Sequence, residues 1–363
     1  MRILAALSGG VDSAVAAALL REAGHEVVAA HLRTGVEAEG AAAGQQRSCC
    51  GADDARDARE VARALDLPFY VVDAREAFAR DVLGPAAAAY AQGLTPNPCV
   101  ACNRGVKFGR LLELARGLGA EAVATGHDAR REVTPGGRVR LLRARDRRKD
   151  QGYVLHALSQ AQLAAARFPL GELAKDEVRA EAGRRGLPVA GKPDSQELCF
   201  VPDGDMRRWL RETLGSLGPA GSFVDVSGRV LGTHEGAMGY TRGQRRGLPA
   251  VGTPQHVVAV DVASGTVQVG PRTALEDREL EVQGLNWVDE PEPAAGTALD
   301  VEVQVRHAQA PVPARLQVED GGRARVRLAQ PVFAAAPGQA LVAWRGEALL
   351  CGGPIARVHP VVA

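Results

Sequence analysis

Ser8-Gly9-Gly10-Val11-Asp12-Ser13 follows the apolar run Ile3-Leu4-Ala5-Ala6-Leu7 and precedes an apolar helical pattern from Ala14 to Ala23. The order is strand, glycine-rich turn, helix. Such a turn puts backbone N–H groups and a helix N-terminus where they can hold an anion. Gly9 and Gly10 let the main chain approach that anion closely, and Ser8 and Ser13 add hydroxyl donors. The carboxylate of Asp12 would repel a phosphate unless a cation lies between them, which points to a nucleotide bound with Mg²⁺. The competing reading is an ordinary turn before a helix. The loop lacks the Gly-Lys-Ser/Thr of a P-loop, and no Gly-x-Gly-x-x-Gly follows the strand.

Outward from this loop, strand and helix signals alternate for about the first 200 residues. Glu26 to His31 reads as a second strand, Asp53 to Leu65 as a helix, and Pro68 to Val72 as a third strand. Val106 to Leu118 reads as a helix with Phe108, Leu111, Leu112 and Ala115 on one face, and Ala120 to Thr125 as a fourth strand. The expected fold is therefore α/β, a parallel sheet covered by helices. Ligands in such folds bind beyond the carboxyl ends of the strands, where Ser8–Ser13, His31-Leu32 and Gly126-His127-Asp128 all fall. Asp205 to Leu214 still looks helical. Beyond it come short alternating strands with Gly and Pro turns, such as Ala324–Leu328 and Ala340–Trp344, which imply a small central β domain and a C-terminal β-barrel. The expected domains are 1–203, 204–275 and 276–363. Ala41–Gln46 reads as a flexible loop tip.

A chain of 363 residues is too long for one compact core. No apolar run reaches membrane-spanning length and no signal-peptide layout is seen, so a soluble cytoplasmic protein is expected. The net charge of +1 does not announce a nucleic-acid binder. Its distribution says more: Arg130, Arg131, Arg138, Arg140, Arg143, Arg145, Arg147, Arg148 and Lys149 form a basic stripe suited to a phosphate backbone. A solvated hairpin reads equally well.

Six cysteines in such a chain argue for chemistry or metal rather than a disulfide framework. Cys351 lies in an apolar strand-like stretch and reads as packing, and Cys49-Cys50 as structural or loop residues. Cys99 and Cys102 form Cys-x-x-Cys after Thr95-Pro96-Asn97-Pro98, whose prolines predict an extended loop, with the helix starting near Val106. Cys102 then lies near a helix N-terminus, which favours a thiolate. With Cys199 the pair could be redox-active or metal-binding, one ligand short of a four-cysteine zinc site.

The Ser8–Ser13 string resembles the pyrophosphate loop of the N-type ATP pyrophosphatases, which split ATP into AMP and pyrophosphate to adenylate a substrate. The likeness extends along the chain. Thr95-Pro96-Asn97-Pro98, Cys102-Asn103, Lys107-Phe108, Ala124-Thr125-Gly126-His127, Lys149-Asp150-Gln151, Asp194-Ser195, Cys199-Phe200, Gly243-Gln244-Arg245-Arg246-Gly247-Leu248 and Pro337-Gly338-Gln339 occur in order. Together they resemble the tRNA-specific 2-thiouridylase family, which replaces O2 of the wobble uridine with sulfur.

The resemblance implies ATP contacts at Ala6, Leu7, Ser8, Gly9, Gly10, Val11, Asp12, Ser13, Leu32 and Gly126. It implies catalytic roles for Cys102, the nucleophile, and Cys199, the persulfide carrier. It implies tRNA contacts at Asn97, Pro98, Cys99, His127, Lys149, Asp150, Gln151, Arg306, His307 and Gln339. The family more often carries Arg-Tyr at the 306–307 pair. Many members also carry Asp where this chain has Cys99, a poor substitute for a carboxylate base. Members with Cys-x-x-Cys plus the distant cysteine resemble cluster-bearing sulfur transferases. The preferred expectation is that Cys99, Cys102 and Cys199 ligate a four-iron four-sulfur cluster with one iron open to sulfide. The alternative is persulfide transfer with Cys102 as resolving thiol, through a disulfide bond.

Expected partners are the tRNA anticodon region and a sulfur donor protein or sulfide source, with the protein monomeric or bridged by tRNA. Two other classes compete: an ATP pyrophosphatase-type synthetase acting on a small molecule, and a non-catalytic RNA-binding module. The first would not need the three cysteines or the long β region, and intact motifs argue against the second.

Overall fold

The computed structural model describes residues 1–36, 51–194, 198–201 and 203–360. Ala41–Gln46, Cys49, Cys50 and Ser195 lie outside the described residues. The chain forms two compact units. One comprises residues 1–83, 99–204 and 347–349, the other residues 84–98, 205–346 and 350–363.

The first unit is built on a parallel sheet. Strands β1 (Arg2–Ala6), β2 (Glu26–Arg33), β3 (Phe69–Asp73) and β4 (Ala122–Ala124) lie in the order β3-β2-β1-β4, with Ala166–Arg167 beyond β4. β1 pairs in parallel with β2 on one side and β4 on the other. β1, β2 and β4, covered on both faces, read as unbroken apolar runs rather than alternations, whereas Tyr70 and Val71 of the edge strand β3 are exposed. Ile3, Ala5, Val27, Ala29 and Ala122 join the core with helix α1 (Val11–Glu22), helix α2 (Ala52–Ala64) and the helix Lys175–Arg184. The small residues Ala14, Ala17 and Ala18 of α1 share that core with Val178 and Ala182. Strand order reverses at β1, so the segments leaving β1 and β4 flank the crevice where such sheets bind ligands. The basic stripe folds as an antiparallel hairpin, Arg130–Val133 with Val139–Leu142.

In the second unit the helix Met206–Leu214 is capped by Asp205, whose carboxylate accepts from the Arg208 N–H at 3.0 Å. It buries Leu210 against Tyr90 and Leu217. A four-stranded mixed sheet of Gly221–Val224, Val230–His234, His256–Asp261 and Thr266–Gly270 closes over Phe223, Tyr240, Val257, Val267 and Val269. Beyond it six antiparallel strands form a closed barrel: Glu276–Val282, Ala298–Gln304, Val312–Glu319, Arg323–Phe333, Ala340–Arg345 and Ala348–Pro360. The first strand pairs with both Arg323–Phe333 and the last strand, which removes the free edges. Strict burial alternation along Val312–Val318 turns Leu316 and Val318 inward beside Val303, Val326 and Leu341. An α/β domain with a parallel sheet, a small β domain and a C-terminal barrel is thus the observed architecture.

Candidate active site

The segment from Ser8 to Ser13 turns tightly at the carboxyl end of β1. The Ser8 N–H donates to Ser13 Oγ at 3.1 Å, and Ser13 Oγ donates to the Gly10 carbonyl at 3.0 Å. Gly9 has φ +75°, and a Cβ there would meet the Asp54 carbonyl oxygen at 2.4 Å. A Cβ on Gly126 would meet Ser13 N at 2.6 Å. Two glycines from distant segments therefore let α2 and the β4 exit close onto the loop. Leu32 is buried in β2 and Leu7 in the β1 exit.

Asp12 also meets a cation of the protein itself. Lys175 Nζ lies 2.5 Å from Asp12 Oδ1 and 3.0 Å from Asp194 Oδ1. Asp194 also receives Lys149 Nζ at 2.9 Å and Arg179 at 2.7 Å. Burial works against ionisation of Asp194, yet the ammonium groups of Lys149 and Lys175 hold its carboxyl below the ordinary range. Asp128, on the β4 exit, is pushed up to about 7 by burial and then by the charge of Asp12. Two neighbouring carboxylates of this kind are hard oxygen donors, so Asp12 and Asp128 fit a Mg²⁺ carrying water and phosphate oxygens.

Lys175 and Arg179 carry no motif signal. Lys175 opens a helix whose sequence, Lys175-Asp176-Glu177-Val178-Arg179, reads as a solvated surface.

His127 is 7% exposed, packs against Phe108 and Phe168, and shares a 2.7 Å hydrogen bond with Thr125 Oγ1. Burial, with Lys107 nearby, keeps it well below the ordinary histidine range, hence neutral. Asp150 accepts from the Ala144 N–H at 2.8 Å, and Gln151 Oε1 accepts from the Asp128 N–H at 2.9 Å. The side chains of Lys149, Asp150 and Gln151 are thus engaged inside the first unit. Much of the basic stripe is also paired internally: Arg130 and Arg147 with Glu347, and Arg145 with Glu177.

The cysteine segment differs from the expected extended loop. The helix starts at Pro98, not near Val106: Pro98–Ala101 forms a helical turn that runs into a π-helical stretch, Cys102–Arg110, and then the α-helix Leu111–Gly117. Proline suits the first helical position, where its missing N–H has no partner to lose. Gln162 Nε2 donates to the Arg104 carbonyl at 2.7 Å and the Phe108 carbonyl at 3.0 Å, supporting the widened turns. Cys99 is exposed and Cys102 and Cys199 are half-buried. Among the described residues no three His, Cys, Asp or Glu side chains gather to hold a metal. The expected iron–sulfur ligand set Cys99, Cys102 and Cys199 is therefore not shown as a metal-holding group among the described residues, and neither is the expected disulfide bond. Cys351 is buried in the barrel core, as its apolar stretch predicts.

In the second unit Arg306 donates to the Ala334 carbonyl at 2.6 Å, and the His307 carbonyl accepts from Gln304 at 2.6 Å. Gln339 Nε2 reaches the Pro96 carbonyl at 3.3 Å, next to Asn97.

Three domain-family patterns match in order: a tRNA methyl transferase HUP domain over residues 1–203, a tRNA methyl transferase PRC-barrel domain over 207–271, and an aminomethyltransferase beta-barrel domain over 277–355. Full-length relatives include tRNA-specific 2-thiouridylase MnmA of Geotalea uraniireducens, 45% identical over 97% of this chain and 94% of that protein. The same-named protein of Chloroflexus aurantiacus is 48% identical over 98% of each chain. That of Kineococcus radiotolerans is 48% identical over 99% of this chain and 100% of its own. With the glycine-closed loop and the ordered motifs, this end-to-end identity shows that the chain belongs to the tRNA-specific 2-thiouridylase family.

Proposed function

We propose that the protein is an ATP-dependent tRNA sulfurtransferase that converts the wobble uridine to 2-thiouridine and releases AMP and pyrophosphate. The observation that carries this reading is the Ser8–Ser13 loop, closed by Gly9 and Gly126 with no room for a side chain and charge-balanced by Lys175. It accompanies full-length relatives named as thiouridylases. The matched domain descriptions speak of methyl transfer, but exposed and half-exposed thiols on Cys99, Cys102 and Cys199 suit sulfur chemistry better.

Uridine O2 is a poor leaving group. Its attack on the α-phosphorus of ATP forms the O2–adenylate and expels pyrophosphate. Ala6 to Ser13, Leu32 and Gly126 hold the nucleotide, and the loop's N–H groups stabilise charge moving onto the departing phosphates. Asp12 and Asp128 would hold the Mg²⁺ that comes with the nucleotide, which would neutralise charge on the phosphates. A persulfide on Cys199, loaded by a sulfur donor protein or sulfide source, attacks C2 through its outer sulfur, and AMP leaves. Cys102 thiolate then attacks the Cys199 sulfur, freeing the thiouridine and leaving a Cys102–Cys199 disulfide for a thiol reductant to reopen. The wobble base must leave the anticodon stack to react. The residues assigned to tRNA are Cys99 and Lys149 in the first unit and Asn97, Pro98, Arg306, His307 and Gln339 in the second. Asp150 and Gln151 act through the backbone they hold, and His127 through the Thr125 hydroxyl.

The test is pyrophosphate release from ATP with and without tRNA, read beside 2-thiouridine formation. TRNA-stimulated release is expected. Release indifferent to tRNA would favour a small-molecule synthetase, and none at all a binding module. Cys199→Ala should abolish thiolation; thiolated tRNA formed at the wild-type rate refutes the sulfur route.

A further inference from the structure

Ala334 is buried and has φ +53°, a backbone region costly for any residue with a Cβ. It opens the turn 334–339 between two barrel strands, and several groups hold that turn. The Ala334 N–H donates to the Leu275 carbonyl at 2.7 Å, and its carbonyl accepts from Arg306. The next residue is gripped from both ends: the Ala335 N–H donates to Asp277 Oδ2 at 2.9 Å, and its carbonyl accepts from Arg242 at 2.7 Å. Arg242 and Asp277 form a two-pronged ion pair of 2.6 and 2.8 Å, with Asp277 fully buried. Arg242 comes from the segment before the Gly243–Leu248 motif, and Asp277 from the first barrel strand.

The far side of the same turn grips the cysteine approach. The Thr95 N–H donates to the Pro337 carbonyl at 2.8 Å, and Gln339 reaches the Pro96 carbonyl. Gly338 has φ +91°, and a Cβ there would stand 2.9 Å from Thr95 N. All these groups belong to the second unit, and the chain runs from Pro98 directly into Cys99.

We infer that the Arg242–Asp277 pair is a positioning device: by holding the strained 334–339 turn it sets the conformation of Thr95–Pro98, the segment that delivers Cys99 and Cys102. A buried ion pair is weak ground for stability, because well-packed apolar pairs serve as well. What an apolar pair cannot do is hold the Ala335 N–H and carbonyl together. Arg306 and Gln339, which the family resemblance assigns to tRNA, belong to the same device. The catalytic consequence rests on the thiouridylase reading; the structural one does not.

The experiment compares the full-length wild type with the paired replacement Arg242→Met/Asp277→Leu and, independently, with Gly338→Ala, which pushes on Thr95 without touching the ion pair. Amide hydrogen exchange is followed at Thr95, Gly338 and the β1 amides. In both variants exchange at Thr95 and Gly338 should accelerate at least tenfold while β1 is unchanged. The turnover number for thiolation should fall tenfold or more with the KM for ATP unaltered, and combining the changes should add little. Unaltered exchange at Thr95 in the folded paired variant overturns the inference, as does an equal change in KM for ATP. If the wild type makes no 2-thiouridine, the thiouridylase reading fails, and the exchange data still decide the structural claim.

Discussion

Lys175 shows how a single residue can matter without any local signal. Its ammonium is shared by Asp12 and Asp194, residues 163 and 19 positions away in the chain, and only 9% of its side chain is exposed. Replacing it with Met leaves Asp12 without its ammonium partner in the nucleotide crevice, while Asp194 keeps Lys149 and Arg179. ATP affinity measured by calorimetry without tRNA should then weaken about 100-fold, about 2.7 kcal/mol. An unchanged Kd would remove Lys175 from the site. The cysteines separate at the same scale. Burial pushes the Cys351 thiol far up, whereas Cys99 is exposed. Brief iodoacetamide treatment of the native protein should label Cys99 and spare Cys351, with both labelled in denaturant; mass spectrometry reads the outcome.

At the scale of elements, the loop after β1 depends on how closely α2 approaches it. Gly9→Ala places a methyl group 2.4 Å from the Asp54 carbonyl and strains a positive φ. A stability loss of about 1–3 kcal/mol is expected. Tightening of the loop should fail with it, cutting pyrophosphate release at least 100-fold. Retained release in a folded variant would show that the loop tolerates the shift.

The short helix Gly152–Leu155 ends at His156, which is buried, bonded to the Tyr153 carbonyl at 2.8 Å, and lowered by burial to about 4. Its folded value lies below its unfolded value of 6.5. Between the two the unfolded chain binds more protons, so this contribution is complete above pH 6.5 and is lost as pH falls toward 4. The loss is on the order of 3 kcal/mol at most. Urea unfolding of wild type and His156→Gln should converge as pH drops from 7 to 4.5; parallel curves would contradict it.

Across the whole molecule, two compact units of similar internal density predict departure from two-state unfolding. Calorimetry should show two transitions, or a calorimetric enthalpy exceeding the van't Hoff value. Mg·ATP should raise the transition of the unit that carries Ser8–Ser13. A single transition with equal enthalpies would mean that the units unfold together.

The division between what was legible and what was not follows range of interaction. The sequence alone determined the strand–loop–helix order around Ser8–Ser13, the parallel sheet and the barrel, because burial on both faces or on one imposes its own hydrophobic period. It also carried the family, since glycine and cysteine positions are local demands of backbone and chemistry. The cysteine helix begins earlier than its sequence pattern implies, because Pro98 is compatible with the first helical position. Only the tertiary structure decided that Lys175 neutralises Asp12, that Glu347 absorbs Arg130 and Arg147, and that a strained turn far downstream grips Thr95 and Pro96. Those are pairings of charge and hydrogen bonds between distant segments. Many surface charges could make them equally well, and only the packing of the elements selects which ones meet.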